Sequence, residues 1–136
     1  MANNKKNDKV KKISNNKKKR NVVVGNINIT ATFNNTIVSI ADSQGNVIAW
    51  SSSGKMGFKG SRKSTPYAAQ LVMSNAIEKA KEYGFQTAST VLIRGAGMGR
   101  ESALRAIIGS GISVISIEDG TYCPHNGCRP PKRRRM

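Results

Sequence analysis

The chain has 136 residues, of which 23 are Lys or Arg and 7 are Asp or Glu, so its formal net charge at pH 7 is +16. This length allows one domain with one ordinary hydrophobic core. A charge so one-sided needs a polyanionic partner to relieve self-repulsion, which makes nucleic acid the first candidate and a typical cytosolic enzyme a poor one.

The first predicted segment is a basic arm over residues 1–20. It contains nine Lys or Arg and one acid, Asp8, and it is rich in Asn with almost no apolar residues. We expect it to be disordered until an acidic partner orders it, although a tail that only confers solubility is the alternative. We find neither a signal peptide nor a membrane span, so we expect no membrane contact and a location where the protein is made.

Alternating apolar residues from residue 22 onwards predict three antiparallel strands. Ile27, Ile29 and Ala31 alternate with polar residues, and the same period returns over residues 37–41 and 47–51. Turn-forming sequences rich in Asn and Gly separate these segments. The first half of the chain is therefore predicted to be a three-stranded meander.

Residues 53–64 show neither the helical nor the strand period and predict a flexible basic loop. Its glycines let the backbone follow a phosphate track, its cations neutralise phosphates, and its aromatic ring is suited to stack on a base. A ring folded down over the end of the core is the alternative for that aromatic residue. The predicted RNA-binding residues of the loop are Lys55, Phe58, Lys59, Arg62 and Lys63.

A helix is predicted directly after this loop. Thr65 and Pro66 form a good N-cap and first-turn pair, and Gly84 marks the end of the helical pattern. Small apolar residues at helical spacing predict that one face covers the sheet. The residues of this face are Ala69, Val72, Met73, Ala76 and Ala80.

The remaining pattern predicts a β-α-β unit. An unbroken apolar run at residues 91–93 indicates a buried strand, residues 100–108 a helix, and residues 112–119 a last strand. The predicted fold class is α/β, with a single layered domain over residues 21–122. Its mixed five-stranded sheet is expected in the order β-β-β-α-β-α-β, with a parallel pair in the second half.

Three glycines, Gly95, Gly97 and Gly99, separate the buried strand from the second helix. This spacing resembles a dinucleotide-binding fingerprint, but its third glycine would fall at Arg100, whose long side chain obstructs close helix packing. The glycines also suit an RNA phosphate between Arg94 and Arg100, or they only permit a tight turn. We predict RNA contacts from Arg94, Gly97 and Arg100, and keep a nucleotide-binding enzyme as an alternative.

A second basic segment, residues 123–136, is rich in proline and predicted to be an extended tail. Cys123 and Cys128 flank His125, the only histidine of the chain, and these are too few ligands for a structural zinc site. We therefore predict no metal, no cofactor and no catalytic residue. The predicted RNA contacts of the tail are His125, Asn126, Arg129, Lys132, Arg133, Arg134 and Arg135.

Two further hypotheses concern Asn126 and the type of nucleic acid. Asn126 precedes a glycine, so its side-chain amide is open to attack by the next backbone nitrogen, which predicts isoaspartate formation. A non-specific DNA-binding protein is an alternative supported by charge alone. The predicted helices carry few cations that could enter a groove, namely Lys79, Lys81 and Arg105.

Four segments resemble motifs of one family, the eleventh protein of the small ribosomal subunit in its bacterial-type form. They are FNNTIV at residues 33–38, GFKGSRKSTP at 57–66, GRES at 99–102 and PHNGCRPP at 124–131. The resemblance covers roughly residues 22–135. It implies an α/β fold that is ribonuclease-H-like in general shape, and a structural constituent of the small subunit without nuclease activity.

The resemblance also implies the surroundings of the protein. Family members bind ribosomal RNA of the platform, bridge its helices and help to form the messenger RNA (Shine-Dalgarno) cleft. Their neighbours are small-subunit proteins seven, eighteen and twenty-one, with initiation factor three nearby. The implied location is the ribosome in the cytoplasm of a bacterium, or the equivalent organelle compartment. Ala96, Met98 and Tyr122 stand where the family commonly has proline, which predicts less rigid loops there.

Overall fold

The computed structural model of the chain describes residues 21–133. The elements in chain order are β1 (Val24–Ala31), β2 (Thr36–Asp42), β3 (Val47–Ser52), a 3-10 helix (Gly60–Ser64), α1 (Pro66–Lys81), β4 (Thr87–Arg94), α2 (Gly99–Gly109) and β5 (Ser113–Asp119). The predicted order of strands and α-helices is confirmed. The prediction of a loop without regular structure at residues 53–64 missed the 3-10 helix.

The five strands form one mixed sheet in the order β3-β2-β1-β4-β5. β1 pairs antiparallel with β2 and parallel with β4, while β5 pairs parallel with β4 at the edge. β1 lies at the centre of the sheet, where apolar Ile27 and Ile29 point to the core and Asn26 and Asn28 point to the other face. The predicted α/β class and the mixed five-stranded sheet are confirmed.

Both α-helices pack on the same face of the sheet. α1 contacts β2, β3 and α2, and α2 also contacts β1. Their buried side chains form one core with alternate residues of the strands, and each large apolar side chain contributes about 1.5–3 kcal/mol by leaving water. The core includes Ile27, Ile29, Val38, Ile40, Val72, Met73, Ala76, Ile77, Ala80, Phe85, Val91, Ile93, Ala103 and Ile107. Within residues 21–133, no helix covers the opposite face.

The start and end of α1 follow the predicted signals closely. The Thr65 side-chain oxygen accepts a hydrogen bond from the backbone N–H of Ala68 at 3.3 Å, which confirms the N-cap, and Pro66 is the first helical residue. The helix ends at Lys81, and the chain then reverses direction at Gly84, whose φ is +82°. All five residues of the predicted face, 69, 72, 73, 76 and 80, are buried.

β4 begins four residues before the predicted strand. Residues 87–90 lack the apolar run that marks a buried strand, but Thr87 and Thr90 are β-branched and Ala88 is fully buried. A register irregularity relative to β1 lies opposite Gly25 and Asn26. The irregular pairing hides the period of this half-strand in the sequence.

Four strands end at the same end of the sheet. The registers join Thr30 to both Ile37 and Arg94, Ile37 to Ser52, and Ile93 to Asp119. The C-terminal ends of β1, β3, β4 and β5 therefore lie side by side. Residues 53–64, 95–98 and 120–133 all leave the sheet from this end, whereas residue 21 lies at the opposite end, next to β1.

Candidate nucleic-acid interface

Backbone hydrogen bonds bring the predicted RNA-binding segments together at one end of the sheet. Ser53 donates to the carbonyl oxygen of Thr36 at 3.0 Å, Gly97 to that of Ala31 at 2.9 Å, and Gly120 to that of Ile93 at 2.9 Å. The basic loop, the glycine turn and the start of the tail are thereby fixed to neighbouring strand ends. We call this surface, formed by residues 53–64, Arg94, the turn at residues 95–99 and residues 120–133, the cationic end.

The basic loop is a succession of tight turns rather than an open segment. Met56 donates its backbone N–H to the carbonyl oxygen of Ser52 at 3.1 Å, and Phe58 donates to that of Ser53 at 3.1 Å. The Ser53 side chain is itself buried and bonds to the carbonyl oxygen of Thr36. The loop thus holds a defined shape, which reduces the entropy lost when a ligand binds.

The loop presents its cations without acidic partners. Lys55, Lys59 and Arg62 are exposed and Lys63 is half-buried. Among residues 21–133, none of these four forms an ion pair. Arg62 and Lys63 belong to the 3-10 helix, so its turn spaces them in a fixed arrangement. Unpaired cations at a strand end are suited to neutralise phosphates of a nucleic acid.

Phe58 of the loop contacts a second aromatic residue, Tyr67, which was not predicted from the sequence to be part of the site. Phe58 and Tyr67 meet edge to face, with ring centroids 6.2 Å apart and an interplanar angle of 85°. Phe58 is half-buried and Tyr67 is exposed. Phe58 also lines an open groove of about 540 Å³ together with Met56, Gly57, Lys59 and Arg62. Its ring lies partly against Tyr67 and partly in this groove.

A cluster of basic and aromatic residues around Trp50 of β3 was also not predicted from the sequence. The Nζ of Lys55 lies 4.0 Å from the centroid of the half-exposed Trp50 ring, a cation–π arrangement. Lys79 of α1 bonds to the side-chain oxygen of Asn75. Burial and the neighbouring Lys55 lower the pKa of Lys79. Only the fold brings Lys79 to the loop, so no local pattern could indicate it.

The glycines of the turn contact the protein itself. A Cβ at Gly97 would lie 2.4 Å from the carbonyl oxygen of Thr32, and one at Gly95 would lie 2.2 Å from that of Ala31. A Cβ at Gly99 would lie 2.7 Å from the Cβ of Ala69. The close approach that these glycines permit is therefore to β1 and α1, and buried Gly97 serves the turn. The sequence left three hypotheses for the glycine spacing: a dinucleotide site, an RNA phosphate site and a tight turn. Of these, the tight turn explains the spacing directly.

The two arginines that flank the turn differ in their surroundings. Arg94 is exposed at the end of β4, beside Gly120 at the start of the tail. Arg100 is half-buried and donates to the carbonyl oxygen of Gly95, to the Thr121 hydroxyl at 3.0 Å and to the Asp119 carboxylate. Arg94 is available to a phosphate, whereas the hydrogen bonds of Arg100 hold the turn against the end of β5 and orient it. We call these hydrogen bonds of Arg100 the clasp.

The clasp predicts a specific acid sensitivity. Hydrogen bonds from Thr121 and Arg100 lower the pKa of Asp119 from its ordinary 3.8 to about 2. The stabilisation by Asp119 is therefore fully present above pH 3.8 and is lost as the pH falls through about 2. We expect Asp119→Asn to lower the urea midpoint at pH 5, and this difference from the wild type to shrink towards pH 2. A difference independent of pH would contradict the clasp.

A second variant tests the hydrogen bond that lowers the pKa most. Thr121→Val removes the hydroxyl that donates to Asp119 at 2.6 Å and accepts from Arg100, but it keeps the direct bond from Arg100 to Asp119. In a carboxyl NMR titration, we expect the Asp119 midpoint to rise relative to the wild type. An unchanged midpoint would show that Thr121 does not hold the carboxylate.

The described part of the tail lies on the surface. Residues 120–133 are exposed and form no regular secondary structure, so His125, Asn126, Arg129, Lys132 and Arg133 are accessible. Cys123 and Cys128 are free and exposed. Within residues 21–133, no three His, Cys, Asp or Glu side chains are grouped to hold a metal ion. Arg134 and Arg135, like the arm at residues 1–20, lie outside the described residues.

Asn126 is exposed and has a left-handed backbone conformation. Its φ is +53°, the only positive value among the described residues other than glycine. Gly127 follows it and offers no side chain to hinder the attack of its nitrogen on the Asn126 amide. We expect isoaspartate at this position, with ammonia released through a cyclic imide that water then opens. Peptide mapping of protein aged at neutral pH would show it, and only unmodified Asn126 would contradict the prediction.

The fold and the cationic end together define a small α/β protein built to bind a polyanion. A sequence model of the family described as ribosomal protein S11 matches residues 25–135. The small ribosomal subunit protein uS11 of Aquifex aeolicus (strain VF5) is 56% identical over 120 residues, which cover 88% of this chain and 95% of that protein. The chain belongs to the ribosomal protein S11 family.

This membership establishes the general role of the chain. The protein is a structural, non-enzymatic component of the small ribosomal subunit, where it binds ribosomal RNA and other ribosomal proteins. The nucleotide-binding enzyme considered from the glycine spacing is therefore wrong, and so is the DNA-binding protein considered from charge. No helix within residues 21–133 has the length and hydrophobicity to span a membrane.

Proposed function

We propose that the protein occupies the platform of the small subunit and holds ribosomal RNA helices together through its cationic end. The observation that carries this proposal is the convergence of the loop, Arg94 and the tail at one end of the sheet. Such a surface neutralises several adjacent phosphates at once, and it recognises the shape of folded RNA more than its sequence. Arg100 takes part by fixing the turn.

The two basic extensions favour a bridging role. The tail leaves the sheet at the cationic end, whereas residues 1–20 precede residue 21 at the opposite end of β1. A strand of eight residues is about 25 Å long, so the two attachment points are well separated. We infer that arm and tail reach different RNA helices. This geometry suits a protein that joins helices around the messenger RNA (Shine-Dalgarno) cleft.

The same placement gives the protein its proposed neighbours. We infer that it lies near small-subunit proteins seven, eighteen and twenty-one, and that initiation factor three binds nearby. The support is the match to this family over residues 25–135. The proposed location is the ribosome of a bacterial cytoplasm or of the equivalent organelle compartment.

Chemical footprinting of the small-subunit ribosomal RNA tests this proposal. The full chain bound to the RNA is expected to protect backbone positions that cluster in platform helices. Protections in at least two helices are expected, because arm and tail leave at opposite ends. Protection confined to regions outside the platform, or no protection at moderate salt, would refute the proposal.

A pair of substitutions in the loop measures its share of RNA binding. Lys59→Gln with Arg62→Gln removes two exposed cations of the cationic end. If each contacts one phosphate, the slope of log affinity against log salt falls in magnitude by about 2, and affinity drops by about tenfold at physiological salt. Filter binding over a salt series provides both quantities.

The matched control removes two exposed cations elsewhere. Lys81 lies at the far end of α1, and Arg105 pairs with Glu101 on the surface of α2. Lys81→Gln with Arg105→Gln changes the net charge equally and is expected to leave the salt slope near the wild-type value. Equal losses for both pairs would mean that net charge, and not the cationic end, determines binding.

A further inference from the structure

One edge of the sheet is apolar and unprotected. β5 is the last strand of the sheet, and within residues 21–133 no strand pairs with its outer side. Ile115 and Ile117 on this strand are 72% and 57% exposed. Ile108, in the last turn of α2, is 74% exposed, and only residues 110–112 connect the two elements. We call these three isoleucines and the free side of β5 the isoleucine edge.

The other edge strand, β3, has a lysine beside its exposed apolar surface. β3 itself contains no lysine or arginine, but Lys55 of the loop that follows it lies over the ring of Trp50 and places a charge beside the largest apolar group of that edge. Natural sheets place lysines on exposed edges to prevent pairing with other chains. β5 has no lysine or arginine, although the chain contains 23 of them. An unguarded edge in so basic a chain indicates a surface that is covered in the assembled particle.

The charge around the edge argues against RNA as its cover. β5 ends in Glu118 and Asp119, and its remaining residues are apolar or serine. Exposed Glu118 would repel phosphates, and the isoleucines offer them no hydrogen bond. The same acid attracts a basic protein segment, and the free N–H and C=O groups of an edge strand pair with an extended chain. Pairing of two copies is opposed by a net charge of +16 on each.

We propose that the isoleucine edge docks an extended, basic and apolar segment of another small-subunit protein, which adds to the sheet as a sixth strand beside β5. Alternate side chains of that segment cover Ile115 and Ile117, and a cation meets Glu118. The protein then has two binding surfaces: the cationic end binds RNA, and β5 binds a protein. This inference rests on the ribosomal role and on RNA binding by the cationic end.

Two substitutions at side chains of equal exposure on the two edge strands test the docking. Ile117→Lys places a charge on the proposed surface, and Val47→Lys places one on the opposite edge strand, and both parent side chains are 57% exposed. Each variant competes with an equal amount of wild type, first for naked small-subunit RNA and then during reconstitution with the complete set of small-subunit proteins. Thermal melts check that both variants fold.

The expected result separates protein docking from RNA binding. Ile117→Lys should bind naked RNA like the wild type but enter reconstituted particles about tenfold less often, because a lysine buried in an interface loses its hydration. Val47→Lys should match the wild type in both competitions. Equal entry of Ile117→Lys into particles, or a loss already seen on naked RNA, would overturn the proposal. Failure of the wild type on naked RNA would instead contradict RNA binding by the cationic end.

A photocrosslinking residue at position 115 identifies the class of partner directly and does not depend on Ile117→Lys folding. In purified reconstituted particles, the expected product joins position 115 to a peptide of another small-subunit protein that contains apolar and basic residues. A crosslink to RNA, to a second copy of this chain or to nothing would overturn the proposal.

Discussion

Deleting residues 129–136 should leave the domain folded and weaken its binding to ribosomal RNA more than any single substitution. The deletion removes Arg129, Lys132, Arg133, Arg134 and Arg135. Residues 129–133 are exposed, so the described part of the segment contributes little to the core. If each cation meets one phosphate, the salt slope falls in magnitude by about 4, and affinity drops on the order of 100-fold at physiological salt.

A full-length variant with the same five cations changed to glutamine separates charge from chain length. Its salt slope is expected to match that of the truncated chain, because counterion release depends on charge. Thermal unfolding of both variants should resemble that of the wild type. An unfolded truncated chain would show that the tail belongs to the core and that the division of the chain at residue 122 is wrong.

Gly99→Ala should destabilise the fold by about 2 kcal/mol, within the range expected for overpacking a core. The new Cβ would lie 2.7 Å from the Cβ of Ala69 on α1 and 2.8 Å from the Oγ1 of Thr36 at the start of β2. All three positions are buried, so α2 would have to move away from α1. Because α2 carries Arg100, the clasp on the glycine turn would move as well. Urea unfolding measures the loss.

A second glycine of the same helix provides the control. A Cβ at Gly109 would meet no atom within 4 Å, and its φ is not in the left-handed region. Gly109→Ala is therefore expected to stabilise the protein by up to about 1 kcal/mol through helix propensity. A stabilising effect of Gly99→Ala would contradict the close packing of α1 and α2.

The sequence predicted the elements well where their signals are local. Thr65 and Pro66 marked the start of α1, and alternating isoleucines marked β1 and β2. The meander predicted the antiparallel pairing of β1, β2 and β3, and the β-α-β unit predicted the parallel pairing of β4 with β5. The parallel pairing of β1 with β4, which places β1 at the centre of the sheet, was not predictable because it depends on contacts between distant segments. The first half of β4 was missed because an irregular register breaks its period.

The residues of the loop and tail in the candidate site were predicted, but the structural role of Arg100 within the site was not. The cations of the loop and tail followed from charge patterning, whereas the clasp of Arg100 on Asp119 requires the end of β5 to lie beside the turn. Lys79 joins the loop only through the packing of α1 on β3. A linear pattern cannot report such contacts, since each partner is ordinary in its own segment.

Directed hydroxyl-radical cleavage tests most directly that RNA lies at the cationic end. An iron chelate is attached to a cysteine at exposed Ser61 in the loop or, separately, at exposed Glu78 in the second half of α1, with Cys123 and Cys128 changed to serine. In reconstituted small subunits, position 61 is expected to cleave platform helices strongly and position 78 only weakly. Equal or stronger cleavage from position 78 would contradict the account.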